Sequence, residues 1–236
     1  MSGGYFSYAL LAALATALLI AAFTDLRRRE INNWLNLSIA LTAPLWWLAT
    51  ELGPIGIAYQ LGLAAVTFAL ACVLFATGQM GGGDVKLLGA LALWFPPASF
   101  MDLVVLMALV GGGGSIAMAA LNMQRVPGEA VRDVLAGIVA LAWVWCVAAI
   151  VFAVATGRPV VAEASVEAVA RHVPGLWALA LVVLVTGAIL VLGLRHIMRR
   201  QKSRLEVPYG IAISAAGLWV LGEQTLAGAR MAAQAG

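Results

Sequence analysis

Two aspartates, Asp25 and Asp84, are the residues of this sequence best placed to do chemistry. Asp25 ends the uncharged stretch 1–24, and Asp84 follows three consecutive glycines between two further uncharged stretches. Ionisable side chains at or in a membrane are costly and suggest function by default. Two carboxylates held close together cannot both ionise, so one serves as a base and the other as an acid. Such a pair would activate water for attack on a peptide carbonyl, without metal or cofactor.

The glycines Gly81, Gly82 and Gly83 predict that another chain can approach Asp84 closely. Glycine has no side-chain bulk and permits positive φ, so an extended substrate backbone would fit beside it. Other interpretations stay open from spacing alone. An aspartate at a helix end is often a cap or a solvated charge, and a glycine run also marks close helix packing.

The segments that carry these residues are membrane helices. The 236 residues are 63% hydrophobic and 11% charged, whereas a soluble domain is about half apolar and about a quarter charged. This composition excludes an ordinary soluble enzyme, a disordered chain and a nucleic-acid-binding chain. The sequence therefore predicts an all-α polytopic membrane bundle of about eight spans. We expect helices at 5–23, 35–49, 55–77, 84–95, 100–122, 135–156, 176–194 and 208–226.

The fourth predicted helix, 84–95, is too short to cross a bilayer. It rises about 18 Å at about 1.5 Å per residue, against roughly 30 Å of hydrocarbon. Irregular backbone at membrane depth is tolerated only where it is buried in protein or lines a watery cavity. The length of this helix therefore predicts a site for chemistry at its glycine-rich start.

The basic residues predict the orientation of the chain. If every apolar window crosses once, one side holds only Arg158, Arg171 and Arg230 of the 14 Lys and Arg residues, and the other side holds the remaining 14 − 3 = 11. The positive-inside rule places the basic side in the cytoplasm, together with both aspartates. This charge favours contact with anionic membrane lipid and does not indicate a nucleic-acid partner. The two cysteines, Cys72 and Cys146, are interpreted as packing residues, and we expect neither a metal nor a cofactor.

Three segments resemble the type IV prepilin peptidases. The string GGGDVKLLGALALWFP (81–96) contains the G-x-G-D motif, and DLRRREINNWL (25–35) resembles the family's first aspartate followed by an I-P-N-W-type turn. The string VPYGIAI (207–213) is similar to a third segment of the short, peptidase-only members that serve tight-adherence (Flp-type) pili. The three segments occur in the family's order.

The resemblance implies an aspartic endopeptidase of the bacterial cytoplasmic (inner) membrane, with its active site facing the cytoplasm. Its substrate partners would be prepilins or pseudopilins, from which it cuts the short basic leader. Asp25 and Asp84 match the family's catalytic pair, and Lys86 matches a lysine that often follows the second aspartate. Further candidates for substrate binding or support are Gly81, Gly82, Gly83 and Tyr209. An oligomeric state is not predicted.

The chain departs from the family in three places. Asn32 stands where the family has proline. We expect two additional spans at 135–194 to form a helical hairpin. This hairpin is inserted into a six-helix core of residues 1–122 and 205–236, and the whole chain is expected to form a single membrane domain. The paired CxxC motifs of the larger, N-methylating members are absent from this sequence, so we expect no methyltransferase activity.

Two other functions stay open. Presenilin-like and signal-peptide-peptidase-like intramembrane proteases also use G-x-G-D, but they carry Y-D and P-A-L motifs where this chain has Thr24-Asp25 and P-Y-G. A small transporter or assembly component would instead carry ionisable residues at mid-membrane.

Overall fold

The computed structural model describes residues 4–161, 167–168, 171, 175–203 and 209–235. These residues contain eight helices and no strand, which confirms the all-α prediction. In chain order the helices are α1 (Tyr5–Arg28), α2 (Asn33–Ala49), α3 (Pro54–Ala76), α4 (Gly82–Leu91), α5 (Pro97–Leu121), α6 (Ala130–Thr156), α7 (Leu176–Arg199) and α8 (Tyr209–Ala235).

Five of these helices are long and apolar enough to cross a membrane: α1, α3, α5, α6 and α7. The protein is therefore a multi-pass membrane protein. Helix α2, with 17 residues, is at the short end of the range for a span. Helix α4 has only 10 residues and rises about 15 Å, so the prediction of a short fourth helix is confirmed.

The chain divides into two compact units, Met1–Gly111 with Pro208–Gly236, and Gly112–Val207. In the first unit, α4 packs against α2, α3 and α8, and α1 packs against α2 and α8. Seven of the ten residues of α4 are buried, because this short helix packs against three longer ones. The core here includes the fully buried side chains of Leu18, Leu87, Leu91, Leu103 and Ile213.

Buried side chains bind the far end of α4 to its neighbours. The indole N–H of Trp94 donates to the carbonyl of Ile39 at 2.7 Å, and that of Trp47 donates to Leu93 at 2.8 Å. The Gln60 amide of α3 donates to the carbonyls of Leu93 and Phe95 at 3.2 and 3.0 Å. The bonds from Trp47 and Gln60 satisfy carbonyls just beyond the end of α4, where the helix leaves them without partners.

The second unit contains the two helices predicted as an inserted hairpin. Helices α6 and α7 pack together, and their ends are joined by an Asp133–His196 contact of 2.9 Å and an Arg200–Glu129 ion pair of 2.6 Å. Both helices are longer than predicted, since each continues through charged residues that interrupt the apolar windows. Residues 162–166, 169–170 and 172–174 of the predicted hairpin, and the motif residues Val207 and Pro208, lie outside the described residues.

Candidate active site

Asp25 lies in the last turn of α1, and only 5% of its surface is exposed. The helix ends at Arg29, whose left-handed conformation (φ 56°) lets its N–H donate to the Asp25 carbonyl at 3.0 Å. This is a common way to close a helix, although glycine is the usual residue. Because α1 extends past its predicted end at residue 23, Asp25 belongs to a regular helix and not to a loop.

The start of α8 holds the Asp25 carboxylate. The N–H of Ile211 donates to Asp25 Oδ2 at 3.1 Å, and the N–H of Gly210 interacts with the same group. N–H groups in the first turn of a helix have no partner within it and carry partial positive charge, so they stabilise an anion. A Cβ atom on Gly210 would lie 2.7 Å from Asp25 Oδ2, so only glycine fits here. Gly210 and Ile211 are not among the predicted site residues, although both belong to the VPYGIAI motif.

Asp84 lies in the first turn of α4, outside the five candidate spans, and is 8% exposed. Its Oδ2 accepts a hydrogen bond from the Gly81 N–H at 3.3 Å, so Asp84 also contributes to capping its own helix. Burial, and next the negative charge of Asp25, raise the pKa of the Asp84 carboxyl to about 7, against the smaller lowering effect of the Gly81 N–H. Asp84 therefore retains a proton close to neutral pH.

The glycine run serves close packing. A glycine with positive φ lies three residues before the run, at Gly78 (71°). A Cβ on Gly83 would lie 3.1 Å from Ile31 Cβ and 3.3 Å from the Ile31 backbone nitrogen, and one on Gly81 would lie 2.9 Å from Asp84 Oδ2. The glycines thus let α4 approach the α1–α2 connection and leave room for the carboxyl of Asp84.

Both aspartates line a single cavity of about 530 Å³. Its walls come from the end of α1, the α1–α2 connection and the glycine run: Thr24, Asp25, Arg28, Arg29, Glu30, Ile31, Asn32, Asn33, Gly81, Gly82, Gly83 and Asp84. Since the charge of Asp25 acts on Asp84, the two carboxyls lie within electrostatic reach of each other. The structure brings together five of the seven predicted site residues.

The other two predicted site residues, Lys86 and Tyr209, have different surroundings. Lys86 lies on an adjoining groove of about 580 Å³, lined mainly by apolar residues of α2, α3 and α4, and its Nζ donates to Asn33 Oδ1 at 2.7 Å. Asn33 lines both the groove and the aspartate cavity. The ring of Tyr209 lies against Gly111, where a Cβ would be 3.0 Å from Tyr209 Cε1.

Asn32, which replaces the family's proline, caps α2. Its Oδ1 accepts a hydrogen bond from the Trp34 N–H at 3.0 Å, as expected of an asparagine N-cap. Its φ of −62° is close to the value that proline imposes. The substitution therefore keeps the backbone of the turn and adds a cap beside the cavity.

This arrangement is suited to acid–base chemistry on a water molecule. Backbone N–H groups at the start of α8 stabilise negative charge on the buried Asp25, while burial and the charge of Asp25 raise the pKa of Asp84 to about 7. Two buried carboxyls with different hydrogen-bond donors thus share a cavity, an arrangement that could supply one base and one acid. Among the described residues, no group of three His, Cys, Asp or Glu side chains is arranged to hold a metal ion.

Residues 12–116 match the sequence model of the type IV leader peptidase family. The matched segment includes both aspartates, the glycine run and Lys86, and it confirms the resemblance predicted from the motifs. It ends before the additional hairpin and before the P-Y-G segment. No curated protein and no solved structure matches the chain.

Proposed function

We propose that this chain, a member of the type IV leader peptidase family over residues 12–116, is an aspartic endopeptidase that removes the leader of type IV (Flp-like) prepilins or pseudopilins. We place its cavity at the cytoplasmic face of the bacterial inner membrane, following the charge bias of the loops. The observation that carries the proposal is that Asp25 and Asp84 line one cavity in different environments.

The two carboxyls divide the proton transfers of peptide hydrolysis. Ionised Asp25 takes a proton from water as the oxygen attacks the scissile carbonyl carbon, and Asp84 gives its proton to the carbonyl oxygen. The tetrahedral diol then collapses: Asp25 passes its proton to the leaving nitrogen, the C–N bond breaks, and Asp84 recovers a proton from a hydroxyl of the diol. Each group ends in the state in which it began. General acid–base catalysis by positioned groups contributes about 10²–10⁴-fold per transfer.

The surroundings of the cavity support a substrate that is partly embedded in the membrane. The cavity has mostly polar and charged walls, and the groove that adjoins it at Asn33 is mainly apolar. A polypeptide that is cut in the aspartate cavity could place its apolar part along the apolar groove. The proposed activity is hydrolysis without N-methylation, since the sequence lacks paired CxxC motifs.

The test is cleavage of candidate prepilins by the purified protein in detergent, followed by gel shift. We expect Asp25→Asn and Asp84→Asn each to lose cleavage by several orders of magnitude, because an amide cannot replace the carboxyl as base or acid. The double variant should be hardly worse than either single one, since residues that act as a unit are strongly non-additive.

Asp102→Asn is the matched control, because Asp102 is exposed on α5 and does not line the cavity. It should cleave at the wild-type rate, and all variants should elute as single monodisperse species. Substantial cleavage by Asp84→Asn would contradict the aspartic mechanism.

A further inference from the structure

Asn36 is a buried polar residue that connects α2 to the glycine run. It is 4% exposed, and its side-chain Nδ2 donates to the Gly83 carbonyl at 3.1 Å. That carbonyl and the N–H of Asp84 belong to one planar peptide unit. The hydrogen bond from Asn36 therefore fixes the plane from which Asp84 continues.

Helix α4 does not need this hydrogen bond for its own formation. Within the helix, the ordinary partner of the Gly83 carbonyl is the N–H four residues later, at Leu87. A carbonyl oxygen has a second lone pair, which is available to Asn36. Gly83 also packs against the backbone of Ile31, so it is held both by a hydrogen bond and by close contact. These two contacts connect the peptide before Asp84 to the segment that follows Asp25.

The buried amide of Asn36 destabilises the fold, so its presence is not explained by stability. Among the described residues, its Oδ1 is buried without a hydrogen-bond partner. An unsatisfied buried polar atom costs about 1–3 kcal/mol, and an apolar residue at this position would avoid that cost. Buried groups of this kind call for a specific explanation. Among the described residues, the side-chain hydrogen bond of Asn36 goes to the Gly83 carbonyl, whose peptide unit continues into Asp84.

We propose that Asn36 is a positioning residue of the proposed peptidase: it holds the Gly83–Asp84 peptide so that the Asp84 carboxyl faces Asp25 across the cavity. It acts through Asp84 and does not touch the reacting atoms. The inference rests on the proposed function, and it predicts a defect in the chemical step and not in substrate binding.

The experiment compares Asn36→Leu with Gln60→Leu. Gln60 is a matched control, since it is also a buried amide that donates to carbonyls next to α4, but at the end away from Asp84. We expect Asn36→Leu to lower kcat by about tenfold or more with KM within about twofold, because misplacement of a catalytic group by about 1 Å is enough to cost 10²-fold. Gln60→Leu should keep the wild-type kcat per folded molecule, even if its Tm falls.

The pH profile provides a reading that a merely structural role would not change. If Asp84 is released from its buried position, its carboxyl gains contact with water, and the alkaline limb of the kcat profile moves to lower pH in Asn36→Leu only. A shift of the same size in Gln60→Leu would overturn the proposal, because the effect would then be general loosening.

Hydrogen exchange tests the same contact without activity. Amides at 82–86 should exchange faster in Asn36→Leu, and amides at 92–96 should do so in Gln60→Leu. If the wild-type protein cleaves no prepilin, the proposed function fails, while the exchange pattern still tests the positioning by Asn36. Wild-type kcat together with unchanged exchange at 82–86 in Asn36→Leu would overturn the inference.

Discussion

The carboxyls of Asp25 and Asp84 accept hydrogen bonds from different backbone groups. Asp25 receives backbone N–H groups from the first turn of α8, which favour a negative charge. Among the described residues, the Asp84 carboxyl accepts a hydrogen bond from the Gly81 N–H, and both aspartates are buried. This difference supports the proposed assignment of Asp25 as the base and Asp84 as the acid.

This assignment predicts an alkaline limb in the pH profile. Because the pKa of Asp84 is raised to about 7, its required proton is lost as the pH rises through that value. We expect kcat/KM to fall about tenfold per pH unit above about pH 7, since this quantity follows the ionisation of the free enzyme. Initial rates of prepilin cleavage between pH 5 and pH 9 measure it. A rate that keeps rising to pH 9 would contradict the acid role of Asp84.

Thermal unfolding in detergent tests the same ionisation independently of substrate. The folded state holds a proton on Asp84 that the unfolded chain releases near pH 4, so this group stabilises the fold at low pH. That stabilisation is lost as the pH rises from about 4 to about 7. Asp84→Asn removes the cost of a buried charge, and its Tm should exceed that of the wild type at pH 8 but not at pH 4.

The packing of α8 on α1 depends on the absence of a side chain at Gly210. We expect Gly210→Ala to lower cleavage by at least tenfold and to destabilise the fold by about 1–3 kcal/mol, because the added methyl would lie 2.7 Å from both Asp25 Oδ2 and Ile31 Cδ1. Cleavage rate and Tm report the two effects.

Gly222, in the same helix, is the control for this substitution. A Cβ there would meet nothing within 4 Å, so Gly222→Ala should keep full activity and gain about 0.5–1 kcal/mol from its higher helix propensity. Equal effects of the two alanine substitutions would show that α8 responds to helix propensity and not to contact with Asp25.

The apolar windows predicted the helices well and their ends less well. An uncharged window ends at the first charged residue. A helix continues past that residue as long as its backbone hydrogen bonds can form. For this reason α1 extends to Arg28, α6 begins at Ala130 and α7 extends to Arg199. The short α4 was predictable because glycines and prolines flank it in the sequence.

The residues that line the candidate site were predictable where they carry charge or a local motif, and not where they are joined by distant contacts. Asp25, Asp84 and the glycines were accessible from sequence alone. Asn36 and Gly210 were not, since a neutral amide inside an apolar helix and a glycine at a helix start have many ordinary roles. Only the fold shows that one contacts Gly83 and the other Asp25.

The distribution of basic residues along the chain predicts how it crosses the membrane. We expect reporter fusions after Met123 and after Gln201 to read cytoplasmic, because basic residues concentrate next to both positions. A fusion near Ala164 should read extracytoplasmic, since residues 135–194 are expected to leave and return. A cytoplasmic reading at Ala164 would contradict the idea of a paired insertion that preserves the orientation of α8.

The hydrogen bond between Asp25 and Ile211 spans 186 positions of the chain. At synthesis rates of about 5–20 residues per second, α8 emerges from the ribosome roughly ten to forty seconds after α1. Once α4 has been made, the nascent chain contains both aspartates, but Asp25 lacks its backbone donors from α8. If Asp25 is the proposed base, we expect a translation product that stops before α8 to lack peptidase activity. The proposed activity would then begin only once synthesis has reached α8.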